Sequence, residues 1–181
     1  MIFEETEIPG VYIIQLEKIG DQRGFFARAW CQKEFEKQGL TSSFVQCNIA
    51  HNVEKNILRG MHFQSAPCQE VKLVRCTKGA LFDVVIDLRP DSATYCKWVG
   101  VELTADNYKM LYVPKDFAHG YLTLTKDTEI FYQVSQFYCP DKEGGVRWND
   151  PVFAIDWPLD GQSLIISHKD QAWPDFCPSN E

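Results

Sequence analysis

The sequence has no basic leader, no apolar run long enough to span a bilayer, no CxxC pair, no His-x-His, and no repeat or low-complexity stretch. Each absence narrows the function. The opening MIFEETEIPG is acidic and lacks the basic and apolar regions of a secretory signal, so a cytoplasmic protein without membrane contact is expected. Seven cysteines (Cys31, Cys47, Cys68, Cys76, Cys96, Cys139 and Cys177) are scattered singly. Neither structural zinc nor a disulfide framework is expected from them, and each reads as a reduced, mostly buried small hydrophobe. Barrels that hold a transition metal commonly present two histidines on alternate residues of one strand; here Gln64 stands two after His62, so no metal is expected. Cations are scarce too. The 18 Lys and Arg against 25 Asp and Glu leave a formal charge of −7, which argues against nucleic acid or anionic membrane as partner and requires a local cationic site for any anionic ligand.

What is present is a folded chain. At 181 residues, 45% hydrophobic and 13% aromatic, residues 1–181 are expected to form one domain. Short runs rich in Val, Ile, Leu, Tyr and Thr follow one another: VKLVRCT (71–77), ALFDVVIDL (80–88), KWVGVEL (97–103), KMLYVP (109–114), GYLTLT (120–125) and EIFYQVSQFY (129–138). Turn residues separate them, among them Lys78-Gly79 and Arg89-Pro90-Asp91-Ser92. That spacing predicts an all-β antiparallel sandwich or barrel such as a jelly roll. CQKEFEKQG (31–39) predicts one short N-terminal helix ending on Gly39. The proline-punctuated tail from Trp148 reads as loops and short turns, with Phe153, Ile155, Trp157 and Leu164 packing on the barrel's outside.

The chemistry-bearing candidates on this frame are His62, Lys72, Asp83, Tyr132, Tyr138 and Asp170. Either His62 or His119 taken alone fits a hydrogen-bonded structural role as well as catalysis. Lys72, between Val71 and Leu73, fits an edge-solvated lysine and an active-site cation equally. Arg75, Asp83 and Asp87 lie among apolar neighbours, so at least one should face a polar cavity. Asp87 and Arg89 read as a turn or a structural ion pair.

In order and spacing the sequence resembles the dTDP-4-dehydrorhamnose 3,5-epimerase family over residues 3–170. The motifs that carry the resemblance are DQRGFF (21–26), FVQCN (44–48), ILRGMHFQ (57–64), KLVRC (72–76), LFDVVIDLRPDSATYCKWVGVEL (81–103), YVPKDFAHGYL (112–122), YQVSQFY (132–138), GGVRWNDP (144–151) and SHKD (167–170). The resemblance implies a cupin-like jelly roll working as a homodimer, without metal or organic cofactor, on a dTDP-4-keto-6-deoxyhexose. It implies His62 as base, Asp170 as its carboxylate partner, Tyr132 as the opposing acid, Lys72 near the sugar oxygen and Tyr138 against the thymine. Arg23, Phe26, Gln46, Asn48, Arg59, His119, Glu143 and Lys169 fall where that family lines its substrate site. Arg28 departs from the pattern, since the family usually has glutamate there. The reversal bears on nucleotide or sugar preference, or is a local swap compensated elsewhere. It leaves a relative that inverts only C3 or only C5 as the close alternative, and a noncatalytic sugar-nucleotide-binding module as the distant one.

The residue types suit the reaction. The hydrogens at C3 and C5 of a 4-keto sugar are both α to the carbonyl, and removing either gives an enolate on O4. A histidine held by a carboxylate is a fitting base, a lysine stabilises charge that grows in the transition state, and a neutral phenol can return a proton to the opposite face. On one regular strand Tyr132 and Tyr138 would share a face about 20 Å apart, one meeting the sugar and the other the base.

Overall fold

The short apolar runs of the chain are realised as strands. The structure, a computed structural model, describes residues 1–159, 161 and 163–178. In chain order the strands are β1 (Ile2–Glu5), β2 (Tyr12–Gln15), β3 (Ile19–Asp21), β4 (Gly24–Phe26), β5 (Gln46–Asn52), β6 (Ile57–Gln64) and β7 (Lys72–Lys78). There follow β8 (Ala80–Asp87), β9 (Trp98–Thr104), β10 (Met110–Val113), β11 (Phe117–Thr123), β12 (Thr128–Val134), β13 (Glu143–Gly145) and β14 (Ile165–Ile166). Helix α1 spans Gln32–Lys37, and α2 is a single turn at His168–Gln171. The expected helix is thus present, and Gly39 just beyond it takes φ +72°, the left-handed conformation that ends helices.

Two antiparallel sheets form the jelly roll. The first runs β1-β2-β10-β7-β12-β5; the second runs β13-β6-β11-β8-β9, with β14 parallel to β6, and β3-β4 is a separate hairpin. Between the sheets lies a core that includes Val74, Cys76, Leu81, Val85, Val101, Leu111, Phe117 and Ile130. Both outer faces are also partly covered. Phe35 of α1, fully buried, packs with Ile14, Leu73, Met110 and Tyr112 over the first sheet, a burial that contributes roughly 2–3 kcal/mol. The tail covers the second sheet with Phe153, Trp157, Ile155 and Leu164, as their sequence context predicts. This double cover explains why β8 reads as an almost unbroken apolar run. Leu81 and Val85 face the inner core while Val84 and Ile86 meet the tail, so both pleats are apolar. Asp83 and Asp87 stand on the inward pleat and are wholly buried.

Three expectations are corrected. The run 129–138 is not one strand: β12 stops at Val134, and the chain turns where the Ser135 N–H donates to the Val71 carbonyl at 3.0 Å. The cysteines are not uniformly reduced and buried. Cys68 and Cys139 form a disulfide across 71 residues, Cys47 and Cys177 are exposed, and among the five free cysteines Cys76 alone is buried. The sequence hides this pair because neither cysteine lies near the other along the chain. They are brought together by Gln64, whose side-chain amide donates to the carbonyls of Cys68 (3.0 Å) and Phe137 (3.3 Å) and whose oxygen accepts the Cys139 N–H at 2.6 Å. Finally, the tail contains α2, a helical turn that holds a residue of the site. Among the described residues no helix is long and apolar enough to cross a membrane.

Candidate functional site

A cleft opens between the two sheets in two adjoining lobes that share His62, Lys72 and Tyr132. The outer lobe, about 340 Å³, is also lined by Gln46, Asn48, Phe63, Gln64, Glu70, Tyr138 and Glu143. The inner lobe, about 230 Å³, adds Arg59, His119 and Tyr121.

His62 comes from β6 of the second sheet. It is placed by a close strand approach: Gly60 has φ +120°, and a Cβ there would lie 2.6 Å from the Gly120 Cα of β11. Glycine alone permits both the backbone conformation and the contact. Behind His62, the α2 turn is capped by Ser167, whose Oγ accepts the Asp170 N–H at 3.1 Å. Asp170, 4% exposed, then reaches His62 Nε2 with Oδ1 at 2.6 Å, and its Oδ2 accepts the Gly60 N–H at 3.3 Å. Burial alone would raise the Asp170 carboxyl. The bonds from His62, Gly60 and Ser167 outweigh it and hold the carboxyl below its ordinary value, as a carboxylate. Trp173 packs edge-on to the imidazole, with centroids 6.4 Å apart.

A second imidazole–carboxylate pair lies beside the first. His119 is opposite His62 in the β6–β11 register, and its Nε2 is 2.7 Å from Oδ1 of the buried Asp83. Arg59 Nε donates to Asn52 Oδ1 at 2.9 Å. From the first sheet, β12 presents Tyr132 and β7 presents Lys72. Burial, and then the negative charge of Glu70, push the Tyr132 phenol above its usual value; Arg59 pulls the other way and is outweighed. At the mouth, the Tyr138 hydroxyl donates to Glu143 Oε2 at 2.7 Å, and Lys169 Nζ lies 2.6 Å from Glu143 Oε1. Burial would raise the Glu143 carboxyl, but these two partners keep it low.

The family model described as dTDP-4-dehydrorhamnose 3,5-epimerase matches residues 5–177. This chain belongs to the dTDP-4-dehydrorhamnose 3,5-epimerase family. It is 47% identical over 167 residues to the Escherichia coli K12 protein of that name, covering 92% of this chain and 89% of that one. The Bacillus anthracis str. Ames epimerase, solved with TDP and PPi bound, superposes with TM-score 0.92 at 41% identity, covering 97% of this chain and 99% of that one. The Legionella pneumophila Philadelphia 1 enzyme, solved with dTDP-4-keto-L-rhamnose, gives 0.89 at 38% identity, covering 95% and 90%.

Most residues expected at an epimerase site converge in the cleft. His62, Lys72, Tyr132, Gln46, Asn48, Arg59, His119, Tyr138 and Glu143 line it, Asp170 lies behind His62, and Lys169 pairs at its rim. Tyr138 reaches the outer lobe by a turned loop. It does not share a strand face with Tyr132, because the Gln64 amide bends residues 135–139 back toward β6. Arg23, Phe26 and Arg28 are not among the lining residues. Arg23 projects from the β3–β4 hairpin with an 89% exposed side chain paired to Asp21; Phe26 and Arg28 border a separate depression. Arg28 Nη1 is 3.0 Å from Glu34 Oε1, and Glu34 also takes the Met1 amino group at 2.8 Å. The arginine is thus answered locally by a carboxylate.

Sequence reasoning missed Glu70, whose carboxylate is ion-paired with Lys72. Its signal was available: it stands two residues before Lys72, so extended backbone there would turn both side chains to one side. Asp83 and His119 are both candidates by sequence, but their pairing is not, since the two are 36 residues apart and meet only through the β8–β11 pairing.

Proposed function

We propose that this protein inverts C3 and C5 of dTDP-4-dehydro-6-deoxy-D-glucose, giving dTDP-4-dehydro-L-rhamnose. One observation carries the reading: the base and acid candidates stand on opposite walls of one cleft, His62 on the second sheet and Tyr132 on the first. Inversion requires a proton to leave one face of the sugar and return to the other, and opposed sheets supply both faces without moving the substrate.

The tautomer follows from the hydrogen bond. With Nε2–H donated to the Asp170 carboxylate, Nδ1 carries the lone pair and is the atom that takes the α-proton. Asp170 then steadies the imidazolium. The C4 ketone provides the electron sink, and Lys72 meets the charge that develops on O4. Tyr132, kept protonated by burial, donates to the far face. Arg59 and Lys169 are the cations for the diphosphate, and Tyr138 at the mouth offers its ring to the thymine.

The working unit is a homodimer. Support comes from the β3–β4 hairpin, which exposes Ile19 (72%) and Phe26 (71%) beside Arg23, residues suited to completing a neighbour's site and absent from their own. Mixing His62→Ala with Arg23→Ala protein should then restore activity through hybrid dimers.

Incubating the protein with the 4-keto sugar in deuterated water and following C3 and C5 by NMR tests the reaction. Deuterium with inverted configuration is expected at both carbons. Exchange at C3 alone would assign a monoepimerase, and binding without exchange would leave only a nucleotide-sugar-binding module.

A further inference from the structure

Beyond its charge acting on the Tyr132 phenol, Glu70 has no part in the roles above, yet it is built into the same cleft. It lies in the segment between β6 and β7, and its carboxylate is ion-paired with Lys72 Nζ. Both side chains are nearly enclosed, 11% and 13% exposed. Between them Val71 points the other way, buried at 3%, and is fixed at both backbone atoms: its N–H donates to Ser135 Oγ at 2.8 Å and its carbonyl accepts the Ser135 N–H at 3.0 Å. Glu70 and Lys72 are therefore held on one face, toward the outer lobe. Lys72 continues into the inner lobe with His62 and Tyr132.

A lysine ammonium rides on a four-carbon stem with about 2 kcal/mol of rotamer entropy, whereas charge stabilisation of a transition state depends on a donor already in place. Three other basic groups in the site have a carboxylate holding them: Asp170 for His62, Asp83 for His119, Glu143 for Lys169. The geometry points to Glu70 as a positioning residue that fixes the Lys72 ammonium at the junction of the two lobes, ready for the enolate oxygen. This rests on the epimerase reading. Glu70 touches Lys72 and acts through it. Because it also places a negative charge in the lobe offered to an anionic nucleotide, its removal should not weaken binding.

Glu70→Ala and the isosteric Glu70→Gln test this. Glu70→Ala should lose about tenfold in kcat with KM equal to or below the wild-type value, and Glu70→Gln, which keeps an oxygen beside Lys72, should lose less. A merely structural role would lower melting temperature and raise KM together. The second readout is independent of activity: in protein labelled with 15N-lysine, the Lys72 ammonium signal, assigned by its loss in Lys72→Arg, should be visible in the wild type and broadened by solvent exchange in Glu70→Ala. Wild-type kcat in Glu70→Ala, or an ammonium signal unaltered by it, overturns the proposal. Should the wild-type protein epimerise nothing, the function reading fails while the ammonium signal still decides the pair.

Discussion

The Asp170 carboxylate joins two points of one strand, meeting His62 Nε2 at 2.6 Å and the Gly60 N–H at 3.3 Å. It thus orients the ring and, in the proposed reaction, leaves Nδ1 for the substrate. Asp170→Asn preserves the shape and removes the charge that steadies the imidazolium. It is expected to lower kcat about 100-fold or more with little change in KM, read by steady-state kinetics. His62→Ala should abolish deuterium exchange at both carbons. Full exchange in that variant would remove His62 as the base.

In the proposed reaction Tyr132 separates two halves. Proton removal by His62 does not need the phenol, whereas protonation from the opposite wall does. Tyr132→Phe is therefore expected to retain some C–H exchange in deuterated water, with retained configuration, while inversion falls by about 100-fold or more. NMR of the exchanged sugar distinguishes the two. The alkaline limb follows from the same residue: burial raises its pKa from the ordinary 10.0, so Tyr132 remains a proton donor throughout the neutral and mildly alkaline range.

The Cys68–Cys139 bond ties the loop after β6 to the loop after β12, and both loops border the outer lobe through Glu70 and Tyr138. Thiol titration of denatured, unreduced protein should give five reactive thiols of the seven cysteines, and all seven after reduction. Seven before reduction would show the bond absent. Cys139→Ser should cost about 4–5 kcal/mol by the chain-entropy account of a loop this long, measured by denaturant unfolding of the oxidised proteins.

The parts of this molecule legible in the sequence are those set by local pattern. The runs that became β7 to β11 alternate or are bounded by turn residues, and α1 ends on a glycine with a positive φ. The first strands were harder to read because β1, β3 and β4 are three or four residues long and mostly exposed, so little apolar periodicity marks them. The site was legible by type through family resemblance, which also implied the His62–Asp170 pairing, but no local pattern marks its pairings. Asp170 finds His62 across 108 residues, and Asp83 finds His119 through strand register alone. Nothing local to Cys68 or Cys139 signals that the Gln64 amide draws their loops together. Arg28 illustrates the converse: it reads as a charge reversal at a substrate position, yet its partner Glu34 is six residues away and supplies the opposite charge.

The Asp87–Arg89 pair, legible as a structural ion pair, is expected to contribute to acid stability. Asp87 is wholly buried; its Oδ1 accepts from Arg89 Nε at 2.8 Å, and its Oδ2 from Arg89 Nη2, Ser92 and Thr94 at 2.6–2.7 Å. Burial pushes its carboxyl upward, but the Arg89, Ser92 and Thr94 bonds overcome it and lower the pKa from 3.8 to about 2. A depressed folded-state value means the unfolded chain binds the proton first. The stabilisation is therefore complete above the unfolded value of 3.8 and is lost as pH falls toward about 2. The shift corresponds to about 2 kcal/mol at neutral pH. Asp87→Asn should lose at least that much at pH 7 and show a flatter decline in stability between pH 4 and pH 2, measured by urea unfolding across that range. An unchanged slope would mean that other carboxylates, Asp170 and Glu143 first among them, carry the acid transition instead.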